Sequence, residues 1–148
     1  SLMPTNLYGP GDNYDPELSH VIPGMIRKFC KGKSEKLPSI TLWGTGSPLR
    51  EFLHVDDLAR ANMFALENYS GEVALNVGSG EEVSIKDLAS EIRKVVGFEG
   101  EIIWDSSRPD GTPRKFLDSS RIQTLGWKPQ ISLQKGLEQT MEQLPFEC

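Results

Sequence analysis

The stretch ALNVGSGEEVSIKDLASEIRKVVGFEGEIIW, residues 74–104, decides the fold class because it places a strand, a helix and a strand in succession. Residues 74–77 and 101–104 have the short apolar patterns of strands. Between them, Ser84 and Asp87 have the spacing of a capping box at a helix start. Five apolar residues then recur at helical spacing, and a glycine suited to a helix end follows them: Ile85, Leu88, Ala89, Ile92, Val96 and Gly97. Strands alternating with helices predict an α/β fold.

The same alternation continues on both sides of this stretch. Further strands are expected over residues 1–8, 39–43 and 51–55. Four further helices are expected, each beginning at a residue that can cap it: Ser19, Asp56, Asp118 and Ser132. The helix that ends near Asn68 has apolar residues almost all round, which predicts a mostly buried helix. Residues 31–38 are expected to form a polar connector.

Composition excludes several classes of function. The 148 residues carry a net charge of −5, and the sequence pI is near 5.1. An acidic chain lacks the basic footprint of a nucleic-acid binder and is not attracted to an anionic membrane surface. Mean hydropathy is −0.38, and the longest apolar run, residues 63–66, is far shorter than the roughly 20 residues of a spanning helix. Cys30 and Cys148 are far apart, which favours two reduced intracellular thiols over a disulfide.

The first residues, Ser1-Leu2-Met3-Pro4, lie inside an apolar stretch. This start fits a piece of a longer protein, and it fits equally well a strand that simply begins early. The 148 residues are expected to form one unit, since the sequence has no internal repeat, low-complexity tract or evident linker.

Two histidines are the candidates for acid–base chemistry. His20 follows a loop rich in Gly, Asp and Asn and precedes a helix, a position that suits catalysis but also an ordinary capping or surface histidine. His54 lies in an alternating strand and is interpreted as a packed residue. Asp56 and Asp57 follow it, but no third histidine or paired cysteine completes a metal site, so no metal is expected.

A basic run and an aromatic residue indicate a possible anion-binding face. Lysines and arginines between residues 27 and 36, together with Arg50, could receive a diphosphate. Trp43, beside a glycine-rich turn, could flank a ring, although both features also fit a solvated helix face and a core tryptophan. The loop 108–115 is charged and contains two prolines, and its alternative interpretation is a simple turn.

Some catalytic motifs are missing from the sequence. The pairs Gly44-x-Gly46 and Gly78-x-Gly80 both lack the third glycine of a dinucleotide fingerprint. No tyrosine is followed by a lysine four residues later, and no nucleophile elbow is present. From the residues alone, the chain is an α/β unit with a possible face for an anionic ligand.

Taken together, five motifs resemble the GDP-L-fucose synthase family, a branch of the extended short-chain dehydrogenases/reductases. They are PTNLYGPGDN (4–13), SHVIP (19–23), WGTGSPLREFLHVDDL (43–58), NVG (76–78) and PDGTPRK (109–115). The pieces PTNLYG (4–9) and HVDDL (54–58) are common to many extended reductases. The segment from DNY (12–14) to SHVIP, combined with WGTGSPLREF (43–52), is far more specific. The resemblance covers essentially all 148 residues, and only the C-terminal half of the family.

This resemblance implies a fold and an organisation. Residues 1–148 would be the substrate-binding portion of an extended reductase, with the last strands of its Rossmann-type sheet. The N-terminal half of the family, absent from this chain, carries the glycine-rich NADP loop, the Ser and Tyr-x-x-x-Lys catalytic set and an epimerisation cysteine. The chain is therefore expected to be inactive alone, while the full-length protein would be a cytoplasmic homodimer.

The resemblance also implies a reaction and its residues. The family converts GDP-4-keto-6-deoxy-D-mannose to GDP-L-fucose by 3,5-epimerisation followed by reduction of the 4-keto group with NADPH. His20 matches the acid of the epimerisation and borders the cofactor. The residues at the nicotinamide end of the cofactor are Pro4, Thr5, Asn6 and Leu7. The residues that contact the GDP-sugar are Lys28, Trp43, Arg50 and Asp110, with Lys115 a weaker candidate for the nucleotide.

Two alternatives stand beside this interpretation: an isolated nucleotide-sugar-binding fragment, and another sugar epimerase or dehydratase of the extended reductases.

Overall fold

The structure, a computed structural model, describes all 148 residues. The strands are β1 (Leu2–Pro4), β2 (Asn6–Tyr8), β3 (Ser39–Trp43), β4 (Leu49–His54), β5 (Leu75–Val77), β6 (Glu82–Ser84), β7 (Glu101–Asp105) and β8 (Arg114–Lys115). The helices are α1 (Val21–Ser34), α2 (Val55–Asn68), α3 (Ile85–Val96), α4 (Ser120–Thr124) and α5 (Leu133–Glu142).

Strand β4 is the centre of the largest sheet. It pairs in parallel with β2, with Tyr8 opposite His54, and in parallel with the two residues of β8. It pairs antiparallel with β6, with Arg50 opposite Val83. Two separate parallel pairs, β1 with β5 and β3 with β7, complete the strands. Helices between parallel strands confirm the predicted α/β class.

The main hydrophobic core lies among α1, α3 and α5. Helix α1 packs on α3, and α3 packs on α5. Phe29, Ile92 and Leu137 lie in this core and are at most 1% exposed, and burying each such side chain contributes about 1.5–3 kcal/mol. A smaller core surrounds Trp127 and the ends of β4 and β5. These two cores fix the start of α1 and the strand ends that form the site described below.

Helix α3 confirms the capping prediction at both ends. The Ser84 hydroxyl accepts a hydrogen bond from the Asp87 backbone N–H at 3.0 Å and donates one to the Asp87 carboxylate at 2.6 Å. Gly97 ends the helix in the left-handed conformation, with φ 73°. Helix α5 begins as predicted, because the Ser132 hydroxyl accepts from the Lys135 backbone N–H at 3.3 Å.

Several predicted boundaries are wrong, for identifiable reasons. The strand expected over residues 1–8 is two strands, because the chain changes partner at Thr5, whose N–H donates to the Val77 carbonyl. The N-cap of α1 is His20 rather than Ser19, and the helix extends into the expected connector. Helix α2 is capped by His54, whose Nδ1 accepts from the Asp56 N–H at 3.3 Å, and α4 by Ser119.

The prediction that α2 is mostly buried is also wrong. Only Asp57 and Ala61 are buried on this helix, whereas Met63 is 60% exposed and Leu66 is 80% exposed. The apolar residues of α2 lie nearly all round the helix. Some of them are exposed because no other element of this chain packs on that side of α2. None of the five helices is long and apolar enough to cross a membrane.

The two cysteines form a disulfide, which overturns the prediction of two reduced thiols. Cys30 on α1 and Cys148 have Cα atoms 4.6 Å apart despite a sequence separation of 118 residues. The fold brings them together because residues 143–148 fold back onto the side of α1, where the Phe146 ring meets Tyr14 edge-on at 5.2 Å. Distance along the sequence was therefore a poor guide to pairing.

Candidate functional site

One cavity of about 700 Å³ opens where four segments of the chain meet. These segments are the end of β2 with the loop after it, the start of α1, the turn between β3 and β4, and the loop before β8. The residues that line it are Thr5–Asp12, His20–Pro23, Trp43, Gly46, Pro48, Arg50, Phe52, Val55, Ile85 and Pro109–Gly111. A mixed wall of apolar rings and a few polar groups is typical of a small-molecule site.

The loop after β2 carries His20 to the edge of this cavity. Gly9 has φ 144°, and a side chain there would press on Val55 Cγ1 at 2.7 Å, so the turn requires glycine. The Asp15 carboxylate accepts from the N–H groups of Glu17 and Leu18, which holds the pKa of Asp15 below its usual range. His20 then stands exposed at the N-cap of α1, and its side chain makes no capping hydrogen bond.

Three of the four residues expected at the cofactor line the cavity. Thr5, Asn6 and Leu7 form part of its wall, whereas Pro4 lies in β1 opposite Val77 and outside the lining. The Thr5 hydroxyl and the Asn6 amide both donate to the Glu51 carbonyl, at 3.3 and 2.8 Å. Their side chains therefore fix this wall to β4.

Glu51 was not identified from the sequence, and it organises the strands behind the cavity. Its carboxylate is fully buried and accepts from the backbone N–H groups of Gly80, at 2.8 Å, and Leu117, at 3.2 Å. The carboxylate also lies so close to Gly78 that a side chain there would overlap it. An acidic residue in a strand gives no sequence signal for such a role, because the partners come from distant segments.

Three of the four residues expected to contact the sugar nucleotide line the cavity: Trp43, Arg50 and Asp110. Arg50 leaves β4 half-buried, with one guanidinium nitrogen donating to the Leu49 carbonyl at 2.7 Å. Trp43, at the end of β3, is 65% exposed. Lys28 is not part of the lining, but its Nζ lies 5.1 Å from the centre of a Trp43 ring. Arg108, noted in the sequence only as part of a charged loop, lies at the same distance from Trp43.

Asp110 closes the loop before β8 onto the turn between β3 and β4. Its carboxylate accepts from the Thr45 hydroxyl at 2.7 Å and from the Thr45 N–H at 2.8 Å, and these bonds hold the pKa of Asp110 below its usual range. Asp110 lines the cavity, but both of its carboxylate oxygens already have partners within the protein. Lys115 lies in β8 and outside the lining.

His54 is a packed strand residue, as predicted. It is 1% exposed and lies edge-on to the Tyr8 ring at 5.4 Å. Burial lowers its pKa, although Asp56 and Asp57 act in the opposite direction. His20 is therefore the histidine at the cavity, and His54 supports the strand behind it.

Comparison with known proteins identifies one family and a group of similar relatives. Residues 1–78 match the model of the NAD dependent epimerase/dehydratase family. The chain is 59% identical over 140 residues to a rice protein (Oryza sativa subsp. japonica) named probable GDP-L-fucose synthase 1, an alignment that covers 95% of this chain and 43% of that protein. It is 47% identical over 152 residues to the GDP-L-fucose synthase of Escherichia coli (strain K12), which covers 96% of this chain and 47% of the relative.

A solved structure gives the same result at the level of the fold. The GDP-L-fucose synthetase of Naegleria fowleri bound to NADP matches with a TM-score of 0.87 at 29% identity, over 94% of this chain and 44% of that one. The chain thus spans under half the length of the curated relatives and of this structure.

Proposed function

Because the chain belongs to the NAD dependent epimerase/dehydratase family, we propose that it is the C-terminal, substrate-binding half of a GDP-L-fucose synthase. The observation that carries the proposal is the single cavity that joins His20 to Trp43, Arg50 and Asp110. This one space is lined by both a histidine and an arginine, with the side chain of Lys28 against Trp43 at its rim. The names of the rice and E. coli relatives support this choice over another sugar epimerase or dehydratase.

In this proposal His20 moves the proton of the epimerisation. Each epimerisation removes a proton beside the keto group, forms an enolate and returns a proton from the opposite face. An imidazole suits this task because it gains and loses a proton near neutral pH. The His20 side chain makes no capping hydrogen bond to its own helix, so the ring can turn toward a sugar in the cavity.

Arg50 and Lys28 suit the diphosphate of the GDP-sugar. Arg50 reaches the cavity wall, and Lys28 lies near Trp43 at the rim. Charge-assisted hydrogen bonds to phosphate oxygens are among the stronger polar contacts in proteins. Asp110 acts in this arrangement by holding its loop in place through Thr45.

The wall formed by Thr5, Asn6 and Leu7 could hold the nicotinamide end of NADP, and His20 borders the same space. The fit is partial, since the Thr5 and Asn6 side chains are already bonded to the Glu51 carbonyl and leave mainly backbone and the Leu7 side chain to face the cofactor. NADPH supplies a hydride when bound. The remainder of its site would belong to an N-terminal half that carries the glycine-rich loop.

Features of the surface support the proposal that an N-terminal half packs against this chain. The β1–β5 pair has only two strands, whereas parallel sheets normally have more strands and are covered on both faces. Apolar side chains are exposed beside it and on α2: Met3 56%, Val73 59%, Met63 60% and Leu66 80%. A Rossmann-type half that extends this sheet would cover them.

The homodimer and the cytoplasmic location stay predictions within this proposal. The disulfide between Cys30 and Cys148 is a point against a strongly reducing compartment, where such bonds are rare.

The test is His20→Gln in this chain joined behind the N-terminal half of the rice relative. General acid–base catalysis contributes about 10²–10⁴-fold, so exchange of carbon-bound substrate protons with deuterated water should fall by at least about 10²-fold. NADPH binding should change little, and some reduction of the unepimerised ketone should become visible.

Two controls accompany this test. Glu17→Gln changes an exposed side chain of the same loop and should leave the exchange rate at the parental value. The 148-residue chain alone should consume NADPH only at background. If deuterium enters the substrate at the parental rate in His20→Gln, His20 is not the epimerisation acid.

A further inference from the structure

The environment of Trp43 points to a role other than stacking on a base. Two cationic groups, Lys28 Nζ and the Arg108 guanidinium, each lie 5.1 Å from the centre of a Trp43 ring. We propose that Trp43 holds Lys28 and Arg108 as a diphosphate clamp, and that Arg108 is a further substrate-binding residue. The proposal rests on the proposed function, since it concerns the diphosphate of the same GDP-sugar.

The cations of this clamp have no acidic partner. Neither Lys28 nor Arg108 forms a salt bridge, and the same holds for Arg50 on the cavity wall. Two arginines are neutralised, Arg60 by Asp57 at 2.7 Å and Arg114 by Glu82 at 2.6 Å. Arg27, Arg93 and Arg121 form no salt bridge either, but none of them lies at the cavity or against Trp43. Arg50 lines the cavity, whereas Lys28 and Arg108 lie against Trp43 at its rim. In a chain with a net charge of −5, these three cations without a salt bridge indicate an anionic ligand.

The carboxylates nearest to Arg108 in sequence form their hydrogen bonds with other residues, although Asp105 lies near enough for the charge of Arg108 to help lower its pKa. Asp105 accepts from the Ser107 N–H at 3.1 Å and the Ser107 hydroxyl at 2.5 Å, so its carboxylate turns back on its own loop. Asp110 is bound to Thr45 through both oxygens. These bonds fix the loop on either side of Arg108 and leave the guanidinium free to meet a phosphate.

The Trp43 ring holds the long side chains of Lys28 and Arg108 in place. A cation within about 6 Å of an indole ring is attracted by the electron-rich face of the ring. Holding two flexible cations before the ligand arrives reduces the entropy lost on binding. Because the ring is already engaged by two cations, it contributes through them rather than by covering the base.

Isothermal titration of this chain with inorganic pyrophosphate and with GDP tests the clamp. Arg108→Ala should weaken binding of both ligands by about 10-fold, the lower end of the range for a charged hydrogen bond. Trp43→Leu should weaken both by a similar common factor, whereas Trp43→Phe, which keeps a ring, should recover most of the loss. Arg121→Ala removes the same charge on α4, away from the cavity, and is the matched control. Thermal unfolding checks that each variant is folded.

Three results would overturn the inference. One is an Arg108→Ala variant that binds pyrophosphate as tightly as Arg121→Ala does. Another is a Trp43→Leu variant that loses affinity for GDP but not for pyrophosphate, because that pattern indicates stacking on the base. The third is a parental chain that does not bind pyrophosphate at all. None of these depends on epimerisation, so the proposed function is judged separately by the His20→Gln exchange rates.

Discussion

At the scale of single residues, His54 shows how burial decides the state of a titratable group. Its Nδ1 accepts from the Asp56 N–H, while its Nε2 is buried with no hydrogen-bond partner. Burial lowers the pKa of His54 more than the carboxylates of Asp56 and Asp57 raise it. The folded protein therefore holds this imidazole neutral at pH values where an exposed histidine becomes charged.

This lowered pKa predicts a loss of stability in mild acid. The unfolded chain binds a proton below about pH 6.5, whereas the folded chain binds it only at lower pH. The free energy of unfolding should therefore fall as the pH drops below about 6.5, by about 1.4 kcal/mol for each unit that separates the two pKa values. Urea unfolding between pH 7.5 and 5 measures it. The slope should vanish in His54→Gln and persist in His20→Gln; an equal slope in His54→Gln would show that another group causes it.

At the scale of elements, Gly136 explains how α5 packs on the central sheet. A side chain at this position would overlap the Tyr8 hydroxyl and lie 3.0 Å from His54 Cδ2. The sequence shows only the cost of this residue, since a glycine inside a helix is about 1 kcal/mol worse than alanine. Gly136 lets α5 pack closely against Tyr8, and this packing compensates for the lower helix propensity of glycine.

Gly136→Ala should therefore destabilise the protein even though it improves helix propensity. Overpacking costs about 1–3 kcal/mol, which exceeds the propensity gain of about 1 kcal/mol, so the melting temperature should fall. Tyr8→Phe removes the oxygen that the new methyl group meets. Gly136→Ala should cost less in that background, and an increase in melting temperature in the parental background would contradict this packing argument.

The disulfide is the second feature that belongs to this scale. It fastens residues 143–148 to α1, the helix that His20 precedes as N-cap and that carries Lys28. Arg27 adds to the same junction: it donates to the Tyr14 carbonyl at 2.9 Å, and its guanidinium lies 5.7 Å from the centre of the Phe146 ring. The chain end is thus tied to both the helix and the loop before it.

Loss of this bond should cost about 2–5 kcal/mol, because a cross-link over 118 residues restricts the unfolded chain strongly. Dithiothreitol should lower the melting temperature of the parental protein. Cys148→Ser should show the lower value already and not respond to the reductant. Two titratable thiols in the unreduced native protein, with no effect of dithiothreitol, would refute the pairing.

Predictability from sequence differed between elements for physical reasons. Helix α3 was predictable because its cap, stripe and terminal glycine all lie within its own segment. The change of strand partner at Thr5 and the exposure of Leu66 were not predictable, because both depend on which distant segments lie beside these residues in the fold. The same applies to the disulfide, which depends on how residues 143–148 fold back.

At the scale of the whole molecule, the site depends on tertiary structure. His20, Trp43, Arg50 and Asp110 come from separate segments, and only the resemblance to a family grouped them from sequence; the fold places all four on one cavity. The sequence did not identify Thr45 and Glu51 as residues that hold the cavity wall, nor Arg108 as a residue beside Trp43. Their roles rest on contacts between distant segments, which no local pattern encodes.

The most direct measurement of the central claim is the affinity of this chain for GDP with and without Arg50. All the residues proposed to hold the nucleotide lie within these 148 residues, so the chain itself should bind GDP more tightly than guanosine. Arg50→Ala should weaken GDP by about 2 kcal/mol, about 30-fold, as expected for a lost charged hydrogen bond, while Arg121→Ala binds as the parent does. Equal affinity of the Arg50→Ala and parental chains for GDP would show that Arg50 is only a strand residue and would contradict the proposed nucleotide site.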